Sequence, residues 1–182
     1  MLDGEEKLIR KAIRGGASAF GSLYDHYQPM IYRFVLIKVG RREEAEDLTH
    51  EVFRNAWQNI RGYKHRGFPF SSWLYKIARN QVADYYRAKK EHTSIESVDP
   101  EYFTAPASIQ FDLGAKMEIE RVRIAITKLK PEHQDIIIMR FIDDISIKEA
   151  ADALEKSEGA VKLMQYRAMK ELKKMISEKS QN

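Results

Sequence analysis

None of the 182 residues is cysteine, so no disulfide framework and no thiolate metal site can be built. This fits a reducing compartment. No apolar run approaches the length of a membrane span, because Arg33 and Lys38 interrupt the most hydrophobic stretch. The first residues, Met1-Leu-Asp-Gly-Glu-Glu6, are acidic and hold no apolar signal core. A cytoplasmic chain without membrane insertion is therefore expected. Alternating strand patterns of convincing length are missing as well. There is no Gly-rich phosphate loop and no nucleophile elbow. The histidines, His26, His50, His65, His92 and His133, are scattered without metal-ligand spacing. These gaps argue against an enzyme and against a cofactor or a bound metal.

What remains is a globular composition, 43% hydrophobic and 32% charged. The net charge of +4 is modest, but it is unevenly spread. Between Arg61 and Lys90 lie Arg61, Lys64, Arg66, Lys76, Arg79, Arg87, Lys89 and Lys90 against Asp84 alone. Just before them, Glu43, Glu44, Glu46, Asp47 and Glu51 form an acidic run. A basic stripe beside an acidic one implies a polyanionic partner and a second, different partner.

Taken in order, the spacing predicts helices throughout. Glu5 to Arg14 has Leu8, Ile9, Ala12 and Ile13 on one side, and Gly15-Gly16 ends it. Ser18 is placed to cap the next helix, in which Pro29 should cause a kink and Gly40 a stop. From Glu43 to Ile60, the apolar residues Ala45, Leu48, Val52, Phe53, Ala56, Trp57 and Ile60 step by three and four. Asp47, Glu51, Arg54 and Gln58 fall on the opposite stripe. A further helix follows Pro69, with Ser71 or Ser72 as its cap. Trp73, Leu74, Ile77, Ala78, Val82 and Tyr85 form its apolar face, and Lys76, Arg79, Asn80 and Arg87 its cationic one. The intervening Arg61-Gly-Tyr-Lys-His-Arg-Gly-Phe-Pro-Phe70 mixes cations with flat rings, which suits unpaired bases.

Composition shifts at Glu91 to Ser, Thr, Pro and acid, and this reads as a flexible linker. Beyond it, Lys116 to Leu129 and Glu132 to Phe141 read as helices, with Pro131 at a first helical position. Then comes a short helix from Ser146, with Glu149 completing a capping box. A tight turn at Glu155-Lys156 leads to a longer helix capped by Ser157. Its inward stripe is Val161, Met164, Ala168 and Leu172, and its outward face carries Lys162, Leu163, Tyr166, Arg167 and Lys170. A short helix, a turn and a longer cationic helix form a helix-turn-helix pattern. Glu155 stands where the turn calls for Gly, at a cost of about 1 kcal/mol. The expected fold is thus all-α: a helical domain over 1–90, a linker over 91–115, and a helix-turn-helix domain over 116–182.

Five segments carry a family likeness in the right order: Phe20-Gly-Ser-Leu-Tyr-Asp-His-Tyr27, Ala45-Glu-Asp-Leu-Thr-His-Glu-Val-Phe53, Phe70-Ser-Ser-Trp-Leu-Tyr-Lys-Ile-Ala-Arg-Asn80, Leu129-Lys-Pro-Glu-His-Gln134 and Glu158-Gly-Ala-Val-Lys-Leu-Met-Gln-Tyr-Arg-Ala168. Together they resemble a bacterial RNA polymerase sigma factor of the sigma-70 family, of the small extracytoplasmic-function type. The resemblance implies a non-enzymatic subunit that binds core RNA polymerase and directs promoter recognition, melting and initiation. It implies that Asp47, His50, Glu51 and Arg54 meet the clamp helices of the polymerase's largest subunit. Tyr63, Lys64, Arg66 and Phe68 of the loop, with Lys76, Arg79, Asn80 and Arg87, would open and hold the single-stranded −10 element. Ser157, Gly159, Lys162, Leu163, Tyr166, Arg167 and Lys170 would read the duplex −35 element. An anti-sigma factor is a further implied partner. The chain departs from the family pattern at His50, where Gln is usual, at Glu155-Lys156, and at Leu163, where a small polar residue is common. The competing reading is a stand-alone helix-turn-helix regulator, but the chain shows no dimerisation heptad to serve one.

Overall fold

The structure, a computed structural model, describes residues 2, 4–65, 67–92 and 121–178. Arg66 and the expected linker from residue 93 onward lie outside the described residues. The described residues contain helices and no strand, and they fall into two compact units.

The N-terminal unit holds α1 (Glu5–Ile13), α2 (Ala17–Val39), α3 (Arg42–Asn59), a short 3-10 turn (Ile60–Gly62) and α4 (Phe70–His92). The end of α1 follows from its sequence. Gly15 takes φ +90°, its N–H donates to Ala12 O, and Gly16 N–H donates to Lys11 O. This pair of bonds is the Schellman closure, which Gly adopts without a Cβ penalty. A Cβ on Gly16 would sit 2.8 Å from Lys11 O, so the second glycine is required by space. α2 then starts with Gly16 as its N-cap, and Ser18 lies inside the helix rather than capping it. α2 continues through Pro29 as one helix of 23 residues.

Leu23, Ile31, Phe34 and Val35 of α2 meet Ala45, Val52, Phe53 and Ala56 of α3 and Phe70, Leu74, Ala78 and Val82 of α4 in a shared core. Tyr75, absent from the expected apolar face, is fully buried and meets Phe34 edge-on at 5.2 Å. α4 packs against both α2 and α3, so it is buried over a wider arc than a single stripe. Trp57 is the converse case. It keeps 36% of its surface exposed at the edge of the core, beside Phe20 at 4.9 Å.

The C-terminal unit holds α5 (described over 121–127), α6 (Pro131–Ile137), a π-helical segment (Ile138–Ile142), α7 (Ile147–Leu154) and α8 (Glu158–Glu178). Pro131 opens α6, as its missing N–H allows. Gln134 donates to Thr127 O and Leu129 O, both at 3.0 Å, and so satisfies the carbonyls where α5 ends. Ile136, Ile137, Ile138 and Met139 are buried, as are Val161, Met164, Ala168 and Leu172 of α8. No helix among the described residues is long and apolar enough to cross a membrane.

Candidate nucleic-acid interface

In the C-terminal unit, the capping box expected at α7 is present. Ser146 N–H donates to Glu149 Oε2 at 2.8 Å, and Glu149 N–H donates to Ser146 Oγ at 3.2 Å. Ala150 and Ala151 are buried at 0% and 6% exposure, as two closely approaching helices require. The turn is a second Schellman closure: Glu155 N–H reaches Asp152 O and Lys156 N–H reaches Ala151 O. Glu155 takes φ +54° to make it, a conformation that costs an L side chain about 1 kcal/mol. Ser157 Oγ then accepts the Ala160 N–H at 3.2 Å and starts α8.

These local devices fix the outward face of α8. Ser157, Gly159, Lys162, Leu163, Tyr166, Arg167 and Lys170 are all exposed. Leu163 and Tyr166 expose 49% and 66% of their surface, so two large apolar groups stand among cations. Cations at that spacing suit phosphates and guanine edges, and the apolar groups suit thymine methyls. Below the turn, Arg140 holds Ile145 O and Gln165 Oε1, tying the entry of α7 to α8. His133 Nδ1 lies 2.8 Å from Glu171 Oε2 of α8.

In the N-terminal unit, the second surface is the segment 63–69 with the start and cationic face of α4. Lys64 and His65 are exposed, Gly67 turns the chain at φ +76°, and Pro69 is buried. Phe68 is half-buried. Tyr63 is not a free platform. Its ring packs on Phe70 at 5.3 Å and on Trp73 at 5.0 Å. Burial first, and the charge of Glu5 second, push its hydroxyl up to about 12, so the phenol is neutral at ordinary pH. Along α4, Lys76, Arg79, Asn80 and Arg87 share one face. Asn80 and Arg87 are exposed, and Arg87 pairs with Asp84 at 2.8 Å.

Neither Ser71 nor Ser72 caps α4. Both are buried inside its first turn, at 5% and 2% exposure. The Phe70 N–H instead donates to Glu5 Oε1 at 2.9 Å. Glu5 is only 3% exposed, and the same oxygen accepts the Tyr27 hydroxyl. Burial first, and Glu5 second, raise the Tyr27 hydroxyl far above its ordinary range, so it remains a donor. The sequence reading missed Glu5, which there looks like an ordinary acid in a first helical turn. No spacing signal links it to Phe70.

A third surface lies on α3. Asp47, His50 and Arg54 are exposed, Glu51 is half-exposed, and Arg54 pairs with Glu51. Beside it, a groove of about 360 Å³ is lined by Phe20, Tyr24, His50, Phe53, Arg54 and Trp57 among others. Among the described residues, no cluster of His, Asp or Glu could hold a metal ion.

This order of parts has known relatives. The family model for sigma-70 region 2 matches residues 23–92, and that for sigma-70 region 4 matches residues 119–172. The chain belongs to the sigma-70 family, among its extracytoplasmic-function (ECF) sigma factors. It is 36% identical over 175 residues to the ECF RNA polymerase sigma factor BldN of Streptomyces coelicolor, a match covering 93% of this chain but 65% of BldN. The chain therefore spans just under two thirds of that relative's length. It is 29% identical over 180 residues to the ECF RNA polymerase sigma factor SigW of Bacillus subtilis, covering 94% of this chain and 96% of SigW. Among solved structures, CnrH in complex with the cytosolic domain of CnrY has the same fold. Its TM-score is 0.73 at 23% identity, over 96% of this chain and 97% of that one. The region 2 match contains the α3 face, segment 63–69 and α4, and the region 4 match contains α7 and the exposed face of α8.

Proposed function

We propose that this protein is a promoter-directing subunit of bacterial RNA polymerase, acting by binding rather than by catalysis. The observation that carries the reading is the exposed face of α8 (Lys162, Leu163, Tyr166, Arg167 and Lys170), held by the capped helix-turn-helix within the region 4 match. In this reading that face, with Ser157 and Gly159 at its start, lies in the major groove of the −35 element. Tyr63, Lys64, Arg66, Phe68, Lys76, Arg79, Asn80 and Arg87 hold the separated strand of the −10 element. Unstacking a base costs a few kcal/mol, and stacking and phosphate contacts return a similar amount.

Asp47, His50, Glu51 and Arg54 dock on the polymerase, and the neighbouring aromatic groove supplies apolar area that a charged stripe alone lacks. Residues 1–90 form the docking and melting domain, 91–115 the linker and 116–182 the −35 domain. The chain works in the cytoplasm without a cofactor. Exposed Trp57, Leu163 and Tyr166 give an anti-sigma factor apolar holds on both units.

The test is a gel shift on promoter fragments from the host, with and without core polymerase. The expected result is weak binding by the free chain and tight, sequence-specific binding by the chain with core. Tight specific binding by the free chain, with half-sites one DNA turn apart, would instead indicate a stand-alone regulator.

A further inference from the structure

We infer that Glu5 is a positioning residue for the strand-holding segment, joining that segment to α1, which lies outside the family match that begins at residue 23. One buried oxygen, Glu5 Oε1, accepts both the Tyr27 hydroxyl of α2 and the Phe70 N–H, which opens α4. A buried carboxylate is tolerated only when its lone pairs are taken up, so the three groups hold one another in place. Around them the rings form a chain. Tyr27 lies 6.0 Å from Phe70, and Phe70 lies 5.3 Å from both Tyr63 and Trp73. Tyr63 and Phe70 are the two ends of the segment that contains Lys64, His65, Phe68 and Pro69. Glu5 therefore fixes the far end of that segment through the Phe70 backbone, and its near end through the ring stack.

α1 is itself anchored, with Ile9 at 2% and Ala12 at 0% exposure. Its first residue is thus held still enough to serve as a cap. Glu5 touches no DNA in this account. It sets where Lys64, Phe68 and the cationic face of α4 stand before a strand arrives, and preorganisation of this kind shows in strand opening rather than in polymerase docking. The inference rests on reading segment 63–69 as the holder of the −10 strand.

The experiment reconstitutes the full chain with core polymerase. It measures opening of a promoter carrying 2-aminopurine in the −10 element, and separately the affinity for core. The variants are Glu5→Ala, Glu5→Gln, Tyr27→Phe and, as markers of the segment and of the cationic face of α4, Lys64→Ala and Asn80→Ala. Glu5→Ala should lower the opening equilibrium about tenfold with core affinity unchanged, as expected for a lost charge-assisted hydrogen bond. Glu5→Gln keeps an acceptor oxygen and should restore opening to within about twofold of wild type, while Tyr27→Phe should fall between the two. Tyr27→Phe removes only a hydroxyl, so it decides the matter if Glu5→Ala does not fold. Wild-type opening in Glu5→Ala or Tyr27→Phe, with Lys64→Ala and Asn80→Ala impaired, would overturn the inference while leaving the functional reading intact. Equal loss of opening and core affinity, or a Glu5→Gln variant as poor as Glu5→Ala, would also overturn it. Normal opening in Lys64→Ala and Asn80→Ala would overturn the reading of the segment, and this inference with it.

Discussion

The caps that start α7 and α8 lie three residues from the groups they serve, whereas the cap that starts α4 comes from 65 residues away. Both arrangements position a surface proposed to meet promoter DNA. In the C-terminal unit, Ser146, Glu149 and Ser157 set the two helices by local bonds, and the reading face follows from helix periodicity. In the N-terminal unit, residues 63–65 and 67–69 belong to no helix. The geometry of this segment depends on Glu5, Tyr27, Phe70 and Trp73, drawn from three helices. The difference teaches that a duplex reader can be a rigid local motif. The surface proposed to accept a displaced strand is instead an irregular segment braced by distant parts of the core.

The sharpest way to break this contrast is to remove the distant cap. Glu5→Ala leaves the Phe70 N–H and the Tyr27 hydroxyl buried without an acceptor, and should cost the N-terminal unit about 3 kcal/mol. Thermal or urea unfolding, followed through Trp57 and Trp73 fluorescence, would report it, since both tryptophans lie in that unit. Next in size is the proposed docking face on α3. Asp47→Lys with Glu51→Lys reverses two charges, and should weaken core-polymerase affinity by about a hundredfold in a competition assay. The same variant should leave the helix-turn-helix intact, because neither residue belongs to it.

Arg79→Ala with Asn80→Ala should lower promoter opening about tenfold while sparing polymerase docking. Permanganate reactivity of −10 thymines, read beside core affinity, would separate the two effects. Smaller still is the loss of a local cap. Ser146→Ala should cost the C-terminal unit about 1 kcal/mol and leave strand opening at saturating chain unchanged, as a circular-dichroism melt and the opening assay would show. The least effect is a gain. Glu155→Gly relieves the positive φ of the turn and should stabilise that unit by up to about 1 kcal/mol, seen as a raised Tm.

The contrast also sets what the sequence could reveal. The Ser146–Glu149 box, the Ser157 cap, the positive φ at Glu155 and the buried stripe Val161, Met164, Ala168 and Leu172 were legible, because each is written within one or two helical turns. So was the closure at Gly15-Gly16. Glu5 was not legible, because nothing in its neighbourhood encodes a partner 65 residues on. The Ser71 and Ser72 caps were misread for the same reason. Both residues suit an N-cap, but the distant carboxylate takes the Phe70 N–H, and the serines are buried inside the first turn.

Tyr75 and Trp57 show a further limit. Helical spacing assigns a face, but the width of the buried arc depends on how many helices surround it. Tyr75 is buried because α4 has two neighbours, while Trp57 sits at the rim of its stripe with 36% of its surface exposed. Of the candidate site, the grouping of charged residues along α3, α4 and α8 could be read from the sequence, because each set repeats at helical spacing. The packing of Tyr63 between Phe70 and Trp73 could not, since it depends on where an irregular segment folds back.

The central claim is that this chain gives core polymerase its choice of promoter. Run-off transcription with purified bacterial core enzyme, on pooled promoter fragments from the host, tests it most directly. The account predicts discrete start sites that appear only when the chain is added, with shared sequence elements upstream of each. Transcripts unchanged by the chain, alongside a specific shift of duplex DNA by the chain alone, would contradict it.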